Sequence, residues 1–92
     1  MALTNAQYTI AEGTRARIAS ADNMPQQVII HEGDNASNTK AFIGDSAVTN
    51  LTGLHIINGT SLQMTLRPGD ELWCYSGQNA PVIHVIQIQN ND

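Results

Sequence analysis

The sequence is poor in charged residues, and this shortage excludes one class of partner. Charged residues make up 13% of the 92 residues, against a typical share of about 25%. The four basic residues are spread along the chain, so they cannot neutralise a run of phosphates as a nucleic-acid-binding face does. They are Arg15, Arg17, Lys40 and Arg67. Since the net charge is also −4, we expect no nucleic-acid partner.

Cysteine is almost absent, and long hydrophobic runs are missing. Cys74 is the single cysteine, so the chain has no internal disulfide and too few thiols for a cysteine-built zinc site. No apolar stretch approaches 18 residues, and the first residues contain no basic segment followed by a long apolar run. We therefore expect a soluble product made in the cytoplasm, with no membrane partner.

A helical period is also missing, and short strand-like runs are present instead. Residues 61–66 alternate with Leu62, Met64 and Leu66 on one face, which is typical of a half-buried strand. Glycine- and proline-containing turns separate such runs, and we predict hairpins across Glu12-Gly13 and Asn58-Gly59. The sequence predicts one all-β domain over residues 1–92, a small antiparallel β-sandwich or partly closed barrel of about seven or eight strands.

The last predicted strand, residues 82–89, is apolar on both faces over its first half. Ile83 and Val85 share one face, and Ile86 lies on the other. Two interpretations stay open: a central strand covered by a loop, or a strand with one face packed against a second subunit or a larger assembly. For the second interpretation we predict Ile83 and Val85 as interface residues.

The N-terminal residues 1–7 also have two interpretations. They form either an extended arm that adds a strand to a neighbouring molecule or a frayed terminus. In the arm interpretation, Leu3 and Tyr8 join the predicted interface.

Trp73 and Tyr75 lie on the same face of one predicted strand and are candidates for glycan binding. Paired aromatic rings beside Asn and Gln side chains can stack on sugar rings, whereas the alternative is that both rings fill the core. We expect the core interpretation here. In either case Cys74, between them, points to the opposite face.

Catalytic and metal-binding patterns are weak. Ser46 follows Gly44 and Asp45 as in the start of a serine esterase motif, but that chemistry usually rests on an α/β scaffold, so we expect Asp45 and Ser46 to support a turn. The histidines form no His-x-His pair. The candidate metal ligands are the three histidines and two nearby carboxylates: His31, His55, His84, Glu32 and Asp34. We predict no catalytic residue, metal or cofactor.

An ordered set of motifs over residues 26–89 resembles a family of phage proteins. The segments 41–49, 53–54 and 59–62, followed by Pro68-Gly-Asp-Glu-Leu-Trp73, are similar to a small β-module in virion proteins of tailed bacteriophages. The resemblance implies a virion structural protein without enzymatic activity, such as a decoration protein on the outside of the capsid. It also implies synthesis in the bacterial cytoplasm.

The resemblance further implies partners. Decoration proteins of this kind bind the lattice of the major capsid protein, commonly as small homo-oligomers, of which we expect a trimer. The alternative function is a receptor- or glycan-binding module of a phage head or tail appendage, with Trp73 and Tyr75 as the stacking residues.

Overall fold

The strands form two separate sheets. The computed structural model describes residues 2–33, 39–56 and 59–89, and these ranges contain eight antiparallel strands and no helix. The strands are β1 (Ala2–Thr9), β2 (Arg15–Ala19), β3 (Gln26–Glu32), β4 (Lys40–Gly44), β5 (Leu54–Ile56), β6 (Ser61–Leu66), β7 (Leu72–Gln78) and β8 (Val82–Gln89). Sheet A has the order β1-β8-β3-β6 and sheet B the order β2-β7-β4-β5. The all-β prediction is confirmed, in its sandwich form.

The described part of the chain thus holds no helix long and apolar enough to cross a membrane. Its extents are 40 × 25 × 16 Å, as expected for two short sheets packed face to face.

Most strands that follow one another in the chain lie in different sheets. Only β4 and β5 are neighbours both in the chain and in a sheet, and this strand order is that of a jelly roll. The predicted hairpins are therefore wrong: β1 pairs with β8 and β2 with β7, while β5 and β6 belong to different sheets. Gly13 and Gly59 do have positive φ angles, of 80° and 87°. Such glycines reverse the chain, but they do not choose the strand with which it pairs.

The core lies between the sheets and follows the alternation of side chains along each strand. In β3, Val28 and Ile30 point inward, and in β6 Leu62, Met64 and Leu66 pack against the same cluster, as predicted. Sheet B contributes inward side chains from each of its strands. They are Ile18 and Ala19, Ala41 and Ile43, Ile56, and Leu72 and Cys74.

The N-terminal segment belongs to the chain's own sheet. β1 pairs with β8 along its whole length, from Ala2 opposite Gln89 to Thr9 opposite Val82. The extended-arm prediction is therefore wrong, because these residues already form an edge strand of sheet A. Tyr8 points inward and packs against the core, whereas Leu3 points outward.

Candidate interaction surfaces

Ile83 and Val85 lie in the core, on the inner face of β8. Their exposed fractions are 0% and 2%. Ile83 is the cross-strand partner of Tyr8, and Val85 is that of Ile30. The prediction of these two side chains as interface residues is therefore wrong for this fold, since no partner can reach them while the sheets are packed. The apolar side chains available to a partner are those on the other face of the same strand.

The outer face of sheet A, here named face A, has an apolar centre, and none of its described strand positions carries Lys, Arg, Asp or Glu. The pairing registers place Ile29, Ile86 and Ile88 at its centre and Leu3 at its edge. Leu3 is 68% exposed and Ile86 is 38% exposed. The other outward positions are polar or small, and none is Lys, Arg, Asp or Glu: Asn5, Gln7, Thr9, Gln27, His31, Ser61, Gln63, Thr65, Val82 and His84. Depletion of charge is typical of the centre of a protein interface.

A shallow hollow of about 260 Å³ lies within face A. His31 and His84, on the adjacent strands β3 and β8, line it with Ile29 and Ile86. The two imidazole ring centroids are 6.1 Å apart. The Nδ1 atom of His31 lies 2.9 Å from Oγ of Ser61, within hydrogen-bond distance. Face A therefore offers a partner an uncharged depression with few polar groups at its wall.

The outer face of sheet B, called face B below, holds Trp73 and Tyr75. Both rings are half-buried, and Cys74 between them is fully buried in the core. The prediction that both rings fill the core is therefore wrong, because β7 turns the small thiol inward and the two large rings outward. The opposite orientation of Cys74 is confirmed. Trp73 is opposite Arg17 on β2, and Tyr75 lies between Arg15 on β2 and Phe42 on β4.

Hydrogen bonds hold the side chains of face B in place. Glu71 accepts one hydrogen bond from Nε1 of Trp73 and another from Nη1 of Arg17, both at 3.1 Å. These bonds, that from Trp73 first, hold the pKa of the Glu71 carboxyl below its usual value. Nη1 of Arg15 donates to the backbone carbonyl of Ser46 at 3.1 Å.

A second aromatic contact lies beside this network. The ring of Phe42 stacks on His55 with centroids 4.8 Å apart and 23° between their planes. On β7, a methyl group added at Gly77 would come within 2.7 Å of the Phe42 ring. The absence of a side chain at Gly77 therefore leaves room for the Phe42 ring over that strand.

Cys74 is in an environment that keeps it unreactive. Burial raises the pKa of its thiol to about 12. The nearby Glu32 carboxylate also raises this pKa, whereas a hydrogen bond with the backbone of Phe42 lowers it. Because the thiolate is the reactive form, the folded chain presents neither an accessible nor an ionised sulfur.

Glu32 is the one acidic side chain that lies in the core of the described ranges. Its Oε1 accepts a hydrogen bond from Oγ1 of Thr39 at 3.0 Å, but its buried Oε2 has no hydrogen-bond partner there. Burial raises the pKa of this carboxyl, while the bond from Thr39 and the nearby His31 and His55 lower it. A buried and half-satisfied carboxylate destabilises the fold in its charged form.

The residues considered for metal binding do not come together in one cluster of ligands within the described ranges. His31 and His84 belong to face A, His55 belongs to face B, and Asp34 lies outside the described residues. Within residues 2–33, 39–56 and 59–89, no three His, Cys, Asp or Glu side chains lie close enough together to hold a metal ion.

The turn after β4 explains the motif at Asp45 and Ser46. Oδ1 of Asp45 accepts a hydrogen bond from the backbone N–H of Ala47 at 2.9 Å, and the Asp45 carbonyl accepts one from Val48 at 3.0 Å. The turn prediction is confirmed for Asp45, and the Ser46 carbonyl accepts the bond from Arg15 described above.

Sequence reasoning missed several residues of the two faces. Ile29 belongs to the centre of face A, and Phe42 and His55 form a stacked pair on face B. Ile29 lies on a different strand from Ile86, and Phe42 and His55 lie on different strands from Trp73 and Tyr75. No local pattern connects them, because only the pairing of strands places them side by side.

Comparison with known proteins supports the fold alone. No protein-family model matches the chain, and no curated protein matches it. Among solved structures, the chain is similar to a protein of the disulfide-linked pili that form Bacillus endospore appendages. The TM-score is 0.56 at 13% sequence identity, over 98% of this chain and 87% of the other. At such low identity the similarity concerns architecture, and it does not bear on the phage resemblance.

Proposed function

We propose that this chain is a non-enzymatic virion structural protein that decorates and stabilises the assembled head of a tailed bacteriophage, on the outer surface of the capsid. The observation that carries the proposal is face A, which has an apolar centre and no Lys, Arg, Asp or Glu among its described positions. Such a face loses little hydration energy when it docks on another protein, because no charged group must be desolvated. The choice of a phage capsid as the partner comes from the sequence resemblance to virion proteins.

The size of face A favours a partner that offers many sites. Four strands about 4.8 Å apart and about seven residues long, at about 3.3 Å per residue, give a flat area of roughly 400 Å². A stable one-to-one interface usually buries about 800 Å² on each partner. One copy of face A would thus bind weakly, whereas an oligomer on a repeated lattice would gain by multivalency.

Symmetry restricts how copies of the chain associate. Face A packed against face A of a second copy gives a two-fold dimer, because each copy then uses the same surface. The trimer that we expect from the resemblance instead needs two different surfaces on each copy. The edge strands β1 and β6 of sheet A and β2 and β5 of sheet B are available for such contacts.

A pilus-like filament is less well supported. The structural neighbour forms disulfide-linked pili, but this chain has one cysteine, and Cys74 is buried. A covalent link between copies would require the sandwich to open, so any filament of this chain must be held by packing. The receptor- or glycan-binding alternative has a specific observation in its favour, the outward position of Trp73 and Tyr75.

The first test is co-sedimentation with heads of the phage whose genome encodes the chain. We expect saturable binding to assembled heads and little binding to the unassembled capsid subunit, since the site would span subunits. The variant Ile86→Asp should abolish binding, because it buries an unpaired charge in the contact. The matched control is Leu54→Asp, which changes a 56%-exposed apolar residue of sheet B.

Light scattering over a range of concentrations should then give the mass of a small oligomer for the unchanged chain. Equal binding of the unassembled subunit and the heads, or equal loss in the two variants, would contradict the proposal.

A further inference from the structure

Face B concentrates most of the positive charge of an acidic chain. Arg15, Arg17 and Lys40 are three of the four Lys and Arg residues, whereas the net charge of the chain is −4. Arg15 and Arg17 lie on β2 opposite Tyr75 and Trp73. Lys40 lies on β4, and its Cβ is 3.7 Å from the position that a methyl group at Gly77 would take. The same face therefore brings together cations and aromatic rings that lie far apart in sequence.

Two of these cations are not neutralised. Arg17 is paired with Glu71 at 3.1 Å. Within the ranges that the structure describes, however, Arg15 and Lys40 form no ion pair, and Arg15 donates only to a neutral carbonyl, that of Ser46. Arg15 is the cross-strand partner of Tyr75, and its charge is available to an anion.

The rings of Trp73 and Tyr75 form a small platform. They are two residues apart on β7, so their Cα atoms are about 7 Å from each other. The hydrogen bond from Trp73 to Glu71 fixes the indole, and Phe42, stacked on His55, bounds the platform at β4. A ring held in place loses little conformational entropy on binding. Aromatic faces carry negative charge density, which attracts the weakly positive C–H groups of a sugar ring.

We propose that face B binds a short carbohydrate that carries a single carboxylate. Its sugar rings pack on Trp73 and Tyr75, and its carboxylate pairs with Arg15. A nucleic-acid strand also stacks on aromatic rings, but its run of phosphates needs a row of cations, and face B has two that are free. The net negative charge of the chain also disfavours the binding of a long polyanion. A sugar with one carboxylate can pack on both rings and pair with the Arg15 guanidinium at the same time.

This inference is independent of the capsid proposal, because face A and face B are on opposite sheets. The chain contains one tryptophan, so intrinsic fluorescence reports directly on the proposed site. We would titrate the protein with cellobiouronic acid, a glucuronate linked to glucose, and with cellobiose, which differs by the absence of the carboxylate. We expect a saturable change in Trp73 emission, with affinity at least about tenfold higher for the acidic disaccharide.

Matched variants test the role of the charge. Arg15→Gln should lower the affinity for cellobiouronic acid to that for cellobiose, because the amide keeps a donor but loses the charge. Arg67→Gln, which removes the same charge from the ion pair with Asp70 outside face B, should leave both affinities unchanged. Equal binding of the two disaccharides, or tighter binding of a thymidine oligonucleotide, would overturn the proposal.

Backbone amide chemical shifts measured by NMR give a second test if the fluorescence does not change. On addition of cellobiouronic acid, shifts confined to β2, β4 and β7 would support the site. Shifts confined to sheet A, or no shifts at millimolar sugar, would refute it.

Discussion

Ile83 and Ile86 allow the core and the docking surface to be separated by two changes in one strand. They lie three residues apart on β8 and point to opposite faces, with exposed fractions of 0% and 38%. Ile83→Ala removes methyl groups from the packed core and leaves a cavity, so it should cost about 2–5 kcal/mol of the free energy of unfolding. Ile86→Ala removes atoms that are partly in water already, so its cost should be about 1 kcal/mol.

The first of these losses is large for a chain of this size. At about 0.05–0.15 kcal/mol per residue, the total stability is of the order of 5–14 kcal/mol. Ile83→Ala should therefore lower the melting temperature by roughly 10 °C or more. Urea unfolding followed by Trp73 fluorescence gives the midpoint and slope, and co-sedimentation with assembled heads gives the binding. We expect a clearly lower midpoint with an unchanged slope for Ile83→Ala, and weaker binding to heads with a much smaller fall of the midpoint for Ile86→Ala.

Two results would refute this reasoning. A loss below about 1 kcal/mol for Ile83→Ala would mean that the core does not close over β8 as described. An Ile86→Ala variant that loses as much stability as Ile83→Ala and binds heads like the unchanged chain would show that face A supports the fold instead of docking.

Three other perturbations test separate features of the structure. The raised pKa of Glu32 means that the folded chain holds this proton more tightly than the unfolded chain, whose ordinary value is 4.5, so stability is lost as pH rises through the raised value. The free energy of unfolding of Glu32→Gln should therefore equal that of the unchanged chain below pH 4.5 and exceed it by about 1 kcal/mol or more at pH 7. If the melting temperatures of the two proteins depend on pH in the same way, this prediction is wrong. Cys74 should react with a thiol reagent roughly a thousandfold more slowly in the native state than in urea, and fast native labelling would contradict its burial. Gly53→Ala should lower the free energy of unfolding in urea by about 1–3 kcal/mol, because the new methyl group would lie 2.6 Å from Cγ2 of Val48. An unchanged midpoint would show that the loop accommodates the methyl group without loss of stability.

The all-β class, the approximate number of strands and the apolar face of β6 could be predicted from the sequence. In β6 the alternation of Leu62 and Met64 with polar residues placed the apolar face correctly. This is possible because alternation in a strand is a local property of the backbone, which points successive side chains to opposite sides. The shortage of charge is visible in the sequence, although not where in the fold the uncharged surface lies.

The partners of each strand, and the choice of inner face where both faces are apolar, were decided only by the tertiary structure. β8 turns Ile83 and Val85 inward because its register with β3 aligns them with Ile30 and Glu32 on the side facing sheet B. In β7 the same geometry buries Cys74 and leaves Trp73 and Tyr75 outside. A local pattern cannot make these choices, because which face is buried depends on the sheet packed against it, and that sheet is built from strands distant in the chain.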